Sequence, residues 1–503
     1  MKYVERGLPS QVVAAFRRVG LPVLVTALLW LTSRNSITVG QAITALALLF
    51  IPWLSYLHWC QRKNDYLPVF GMISFMYWVY YALALFWGDL TIQMARSAFG
   101  REAPPEQLTN ALLMSLLGVS CLWLGMKTGI GRIFTPRRLT ELVLDGSRRD
   151  YLRGVLIVSA LLSMAEPSTY LLGPGGRQFI VLSISFIPLL SFAMLFRVYM
   201  RGEASRFDKA LIFGFLLVRL VVGLSSGWLG SATSIIIICA VTFLAERRRI
   251  PRVAVVALVL LTLFFQVGKE EFRKVYWTDQ TQASQFDRVS FWVNSSFESW
   301  NSALLDPSGD LMRDLLNQSV SRVSLLTQSA NVLDQTPEVV PYQNGNLYKY
   351  LFITLIPRFV WPDKPSFNEA NRFYQVAYGI TAEEDLGNVS IGVGVLAEAF
   401  ISFGWVGVIA IMFLLGVFFD FFQSSFLGRS SGLLMTSLGI ASLPQMLGLE
   451  AQMATYLGGI VQQVSFSLIV MLPIIRWNQV RQQPKLSAII LRETPTQTLQ
   501  RSR

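Results

Sequence analysis

The sequence predicts an all-α polytopic membrane protein, and three observations carry that expectation. Of 503 residues, 53% are hydrophobic and only 15% charged, whereas a soluble domain holds roughly one quarter charged residues. Mean hydropathy is positive, at +0.47. Apolar runs long enough to cross a bilayer, roughly 17 to 25 residues each, recur along the chain between polar breaks. A single His and three Cys remove His-rich metal sites, His-centred triads and disulfide frameworks from consideration.

The periodic runs predict about 12 spans, each near the length a helix needs to traverse hydrocarbon. Their limits are 19 to 33, 37 to 59, 66 to 87, 108 to 130, 151 to 171, 178 to 200, 210 to 225, 228 to 246, 253 to 268, 404 to 424, 432 to 449 and 456 to 475. The stretch from Ala210 to Ala245 is too long for one span and is divided at Ser225-Ser226-Gly227. This organisation gives a membrane array over 1–268, a large extramembrane loop with surface or re-entrant helices over 269–403, a second array over 404–475 and a tail over 476–503. The first apolar run continues into the array without a small-residue cleavage site, which is not the pattern of a signal peptide.

Orientation follows from basic residues, which stay on the cytoplasmic side of short loops. Arg17-Arg18, Arg137-Arg138, Arg148-Arg149 and Arg247-Arg248-Arg249 fall on one side if the N-terminus is inside. The net charge of +12 then reports topology and contact with anionic headgroups rather than nucleic acid, for which no soluble basic domain exists. Cys60, Cys121 and Cys239 lie in or beside spans and are expected to be structural.

The segment from Lys269 to Asn388 is placed outside the cytoplasm by the same rule. Helical spacing of apolar residues from Phe291 to Val332, with Trp277, Trp292, Trp300, Tyr342, Phe373 and Tyr374, predicts a folded cap. These aromatics serve packing or sugar stacking. Leu347 to Pro357 is apolar but too short to cross, so it is expected to dip into or lie on the membrane. The run Ile391 to Phe422 is too long for one untilted span, and a break near Gly404 would give a surface helix, Val389 to Ser402, followed by a crossing.

Ionisable groups at membrane depth are costly and mark function by default. Arg219 lies inside a span. Glu398, with Gly394 and Ser402 four residues to either side, is placed on a small polar helix face, as a base or as an interhelical hydrogen-bonding group. Glu166 and Glu450 are weaker candidates of the same kind. Gly173-Pro-Gly-Gly-Arg177 reads as a tight turn or as a backbone cradle for an anion closed by Arg177. Lys269-Glu-Glu-Phe-Arg273-Lys274 follows a span directly and puts basic residues at the membrane surface, for anchoring or for a lipid pyrophosphate. No phosphate loop of the G-x-x-x-x-G-K-[ST] type occurs, which excludes ATP-driven transport by this chain alone.

The strings Ile356-Pro-Arg-Phe-Val-Trp-Pro-Asp-Lys-Pro365 and Gly392-Val-Gly-Val-Leu-Ala-Glu398-Ala-Phe-Ile-Ser-Phe-Gly404-Trp-Val-Gly407 resemble the bacterial O-antigen polymerase (Wzy-type) family of oligosaccharide repeat-unit polymerases. Elsewhere the likeness is one of architecture. Related polymerases and ligases often carry a Gly-Ser-Arg-Gly type string at the outer end of a span. This chain has Gly223-Leu-Ser-Ser-Gly-Trp-Leu-Gly230, with Arg219 one turn earlier.

The resemblance implies a GT-C-like glycosyltransferase of the bacterial inner membrane with a periplasmic active site. It would join oligosaccharide repeat units carried on undecaprenyl pyrophosphate, without metal, cofactor or nucleotide sugar. Its partners would be the lipid-linked donor and acceptor, membrane lipids, a chain-length regulator and a flippase, with no nucleic acid. The expected roles are Arg219, Arg273 and Arg358 on the pyrophosphate and Glu398 as base, with Lys274, Lys364, Arg372 and Arg177 supporting. Arginine suits that task because its planar fork binds phosphate bidentately and stays charged in a partly dry site. An O-antigen ligase and a lipid-linked oligosaccharide flippase are the competing readings. Ligases resemble enzymes with a periplasmic catalytic His, and the one His here, His58, lies near the cytoplasmic end of its span. Flippases have evenly spaced spans with short loops.

Overall fold

A computed structural model describes residues 19–61, 66–92, 101–135, 145–164, 173–278, 281, 283–356, 360–361, 363–366, 368–386, 391–428 and 431–490, with side chains from 163 to 185 and beyond 473 outside the description. The architecture is all-α. The exception is a short antiparallel pairing of Thr91–Ile92 with Arg101–Glu102. A helix stands at each of the twelve apolar intervals. Among the described residues six helices are long and apolar enough to cross a membrane, and seven if a bent pair is one span. The chain is therefore a multi-pass membrane protein.

Of the remaining expected crossings, 151–171 and 178–200 lie partly outside the described residues, and for the others helix length or charge is limiting, since a full span needs roughly 20 apolar residues. Leu21–Thr32 and Leu433–Leu447 are 12 and 15 residues long. Arg206–Ser225 is long enough but carries Arg206, Asp208, Lys209 and Arg219. The break proposed at Ser225-Ser226-Gly227 falls where the structure turns, between Arg206–Ser225 and Leu229–Arg247.

At the centre, the helix Gly394–Phe426 packs along Pro105–Lys127. The contact runs through glycines. A Cβ on Gly125 would meet the Phe413 carbonyl, and one on Gly416 the Leu122 carbonyl. Small residues let two membrane helices approach backbone to backbone, where dispersion replaces the hydrophobic drive that lipid does not supply. Leu112, Leu122, Leu396, Met412 and Phe419 fill the core around that seam.

Polar contacts separate the two ends of the array. At one end Arg197 pairs with Glu246 at 2.7 Å, Arg153 with Asp208 at 2.8 Å and Arg132 with Asp420 at 3.1 Å. His58 belongs to this arginine-rich end, where Arg248 donates to the carbonyl of neighbouring Trp59 at 2.9 Å. At the other end Ser33 Oγ donates to the Phe86 carbonyl at 2.8 Å, the Asp89 amide donates to Ser321 Oγ at 2.6 Å, and Arg34 meets Asp314 at 2.9 Å. The long segment after residue 268 folds over this second end as Gln285–Leu305, Asp310–Ser321, Leu326–Gln335, Lys349–Leu355 and Glu369–Ala377.

Two expectations about this segment are refined. The apolar stretch after Leu347 forms a short turn, Asn346–Tyr348, and the helix Lys349–Leu355, which packs on the C-terminal helix Met453–Ile490. The expected surface helix before Gly404 is buried instead: every residue from Gly394 to Ser402 is in the core. The break itself sits at Phe403 and Gly404, whose backbone leaves the helical region at φ −144° and φ +63°. The freed carbonyls of Ile401 and Ser402 accept from the amides of Gln343 and Asn344, each at 3.0 Å.

Candidate functional site, a basic corner at a bent helix

Arg252–Val267 ends at Gly268, and the chain turns by 60° into Lys269–Trp277. The last carbonyls of a helix need partners from outside it. Here Trp292 Nε1 donates to the Phe265 carbonyl at 2.9 Å and Trp300 Nε1 to the Phe264 carbonyl at 3.3 Å. These two tryptophans thus cap the bend, and Trp292 is wholly buried. Gly268 is required because a Cβ there would lie 2.5 Å from Ser296 Oγ.

The bend points Lys269 and Arg273 toward Arg322, the residue that follows Asp310–Ser321, and the three cations repel one another. Arg322 is partly neutralised by Glu270 at 2.9 Å, and Lys269 by the field of Glu450. Arg273 has no carboxylate partner among the described residues. Its guanidinium carbon lies 4.2 Å from the ring centre of Trp277 and 5.2 Å from that of Trp228, while the two indoles are themselves 5.2 Å apart. The charge therefore occupies the third corner of a triangle with two aromatic rings, which attract it by their quadrupoles and fix its plane. Nε is buried without a hydrogen bond.

Opposite these cations stands the turn between Leu433–Leu447 and Met453–Ile490. Its anchor is backbone: the Gly394 amide donates to the Glu450 carbonyl at 3.0 Å, the Leu325 side chain rests against Gly394, and the Leu325 amide donates to the Tyr80 carbonyl at 2.8 Å. Tyr80 belongs to a π-helical stretch, Trp78–Leu83, inside Val69–Trp87. Such bulges occur frequently at functional sites. The Tyr80 phenol lies in the field of Glu450. As a residue Glu450 is exposed in this turn. The surrounding protein still desolvates it enough to hold its pKa above the ordinary carboxylate range, with Lys269 pulling the other way.

Glu398 lies behind this turn. It is fully buried, with Oε2 accepting from the Met453 amide at 2.5 Å and Oε1 unpartnered. That bond holds the start of Met453–Ile490, and the carboxyl does not reach the open side of the corner. Replacing Glu398 with Gln keeps an acceptor for the Met453 amide and is expected to change stability by less than about 1 kcal/mol. Glu398→Ala strands that amide and leaves a cavity, for a loss of about 2 to 3 kcal/mol. Thermal unfolding of both variants in detergent measures this. Equal losses would remove the anchoring role.

The other expected site residues divide. Lys364 is buried, and its ammonium donates to the carbonyls of Ile353, Thr354 and Ile356 at 3.4, 3.3 and 2.6 Å, closing the C-terminus of Lys349–Leu355. Arg372 pairs with Glu369 at 3.1 Å one turn away on an exposed face. Lys274 is exposed next to Arg273. Arg219 is half-buried, with Nε unpartnered, roughly 9 Å along the helix axis from Ser225. The charges that act on Arg273 are those of Arg322 and Lys269 instead. Arg358, Glu166 and the side chain of Arg177 lie outside the described residues. The glycines before Arg177 begin the helix Gly173–Met200, so that string is a helix start rather than a loop. Among the described residues no three His, Cys, Asp or Glu side chains gather as metal ligands, and the three cysteines are unpaired.

Arg322 was not legible as a site residue, because in sequence it is one charge at the end of an amphipathic helix. Glu450 was visible only as an acid between two apolar runs. No curated protein and no solved structure matches the chain. Residues 129–429 match one family model, which covers the bent helix, the cations, the extramembrane helices and the kinked helix. The chain belongs to the family described as Domain of unknown function (DUF8712).

Proposed function

We propose that this protein polymerises oligosaccharide repeat units linked to undecaprenyl pyrophosphate, at the periplasmic face of the bacterial inner membrane. The observation that carries the proposal is the gathering of Lys269, Arg273 and Arg322 at the end of the array opposite its arginine-rich end. Short basic loops mark the cytoplasmic side, which supports reading this corner as outward-facing, near the membrane surface where a lipid diphosphate would sit. The likeness of Ile356 to Pro365 and of Gly392 to Gly407 to O-antigen polymerases supports the same reading, as does a GT-C-like array of about 12 helices in which the shorter ones complete the bundle. His58 at the arginine-rich end leaves the outer corner without an imidazole, which speaks against a ligase.

The chemistry is a displacement at the anomeric carbon of the donor glycan. An acceptor hydroxyl oxygen forms the new bond, its proton passes to a carboxylate, and the bond to the diphosphate oxygen breaks with its electron pair. Developing negative charge on undecaprenyl pyrophosphate is met by Arg273, Lys269 and Arg322, which are fixed before the reaction begins. We assign the base to Glu450 in place of Glu398, because Glu450 is exposed and lies in the field of Lys269 while Glu398 is enclosed.

A raised pKa has a definite sign here. The base works ionised, so kcat/KM falls as pH drops through the Glu450 pKa, and the acid limb lies above the ordinary glutamate value of about 4.3. Lys269→Met removes the attraction that favours the ionised form and is expected to move that limb to higher pH. A pH–rate profile of both proteins measures it. A limb unmoved by Lys269→Met would separate Glu450 from the reaction.

The function itself is tested by mixing purified protein with a defined lipid-linked repeat and EDTA, and reading products by mass. A ladder of repeats is expected. Cells lacking the protein should export single repeats without long chains; accumulation on the cytoplasmic side would indicate a flippase instead.

A further inference from the structure

We infer that Trp228 is the platform for the sugar attached directly to the diphosphate, a binding role that rests on the reading of the basic corner as a diphosphate site. Trp228 opens the helix Leu229–Arg247 after the turn Ser226-Gly227, and its side chain is 49% exposed. That exposure is not the result of a loose loop. Gly227 holds φ +75°, and the Trp277 indole nitrogen and Phe272 ring press so close that a Cβ at Gly227 would lie 3.0 Å and 2.7 Å from them. The Ser226 hydroxyl accepts from the Trp228 amide at 3.2 Å and donates to the Gly223 carbonyl at 2.7 Å, which fixes the start of the helix.

The result is an indole held next to Arg273 and Trp277 on one side and open on the other. A sugar carried on a diphosphate is one bridging oxygen from the phosphorus. A phosphate on Arg273 therefore brings the first pyranose within reach of a ring whose centre is 5.2 Å from the guanidinium carbon. The axial C–H groups of a pyranose face carry partial positive charge, and the face of an indole carries partial negative charge. Trp277 makes the shorter contact with Arg273, at 4.2 Å, and Trp228 the longer, so the two rings divide the work: Trp277 fixes the cation and Trp228 receives the sugar. Phe272, wholly buried beneath them, and Trp292 form a rigid floor.

Two soluble probes of equal charge separate these contributions, geranyl diphosphate capped with a methyl ester and geranyl-diphospho-N-acetylglucosamine, titrated into the full-length protein in detergent by calorimetry. The unaltered protein is expected to bind the glycosylated probe about tenfold more tightly, the gain from one stacked ring. Trp228→Ala should abolish that difference, with diphosphate affinity falling no more than about threefold because the Trp277 contact remains, and Trp228→Phe should restore most of it. Trp277→Ala should weaken both probes together. A tenfold preference that survives in Trp228→Ala overturns the platform while leaving the basic corner intact. Equal affinity for the two probes in the unaltered protein, with loss of bilayer stability alone in Trp228→Ala, makes Trp228 an interfacial anchor. If neither probe binds, the diphosphate reading falls and the platform with it.

Discussion

Arg273→Ala is expected to lower kcat/KM for chain extension by about a hundredfold or more, since removal of one preorganised donor to a developing oxyanion costs about 2.7 to 4 kcal/mol. The size of the effect follows from the state of this side chain. Its neighbours Lys269 and Arg322 each have a carboxylate acting on them, Glu450 and Glu270, whereas Arg273 has only indoles. It keeps its charge for a ligand. Repulsion among the three cations is relieved when a dianion binds between them. Arg273→Lys retains charge but loses the planar fork and the flat face that rests on Trp277, and about a tenfold loss is expected. Chain extension from a defined lipid-linked repeat, with unfolding temperature as control, measures both. The guanidinium makes no hydrogen bond within the described residues, so stability should be nearly unchanged. Rates within twofold of the unaltered protein would remove Arg273 from the reaction.

Much of the fold was legible in local chemistry. The chain could not continue one helix from Ile391 to Phe422 across a bilayer, and Gly404, one of the glycines in that stretch, takes the positive-φ backbone at the break. Ser225-Ser226-Gly227 divided an overlong run for the same reason. What local chemistry does not encode is which distant segments meet. Arg322 is separated from Arg273 by the helices Gln285–Leu305 and Asp310–Ser321, and Glu450 by most of the chain beyond them. Lys364 has the chemistry of a phosphate ligand but donates to the carbonyls of a short helix that sequence alone reads as dipping into or lying on the membrane. Glu398, expected on a small polar face of a surface helix, is instead enclosed, because Gly394 allows Leu325 and the Glu450 turn to close over it. Among the described residues, charge or length, not apolarity, sets the count of six or seven candidate spans below the about 12 expected.

Gly404→Ala is expected to destabilise the folded protein by about 2 to 3 kcal/mol, because its backbone, at φ +63° and ψ −149°, lies in a region essentially restricted to glycine. Space adds to the strain. A Cβ would lie 3.0 Å from the Tyr342 hydroxyl and 3.2 Å from its ring, and Tyr342 is held by its edge-on contact with Phe400. A groove of about 380 Å³ lies beside the kink, with walls that include Tyr342, Phe403, Val406 and Ile411. A straight helix would reclaim the Ile401 and Ser402 carbonyls, leaving the amides of Gln343 and Asn344 without acceptors and detaching that segment from the core. It would also swing Gly394 away from the Glu450 carbonyl, so activity should fall together with stability. The matched control is Gly214→Ala, in Arg206–Ser225, where an added Cβ meets nothing within 4 Å. There the change should be neutral or stabilising by up to about 1 kcal/mol, since alanine favours the helix. Thermal and denaturant unfolding of the two variants in the same detergent compares them, and equal midpoints would show that the kink is not a constraint on the fold.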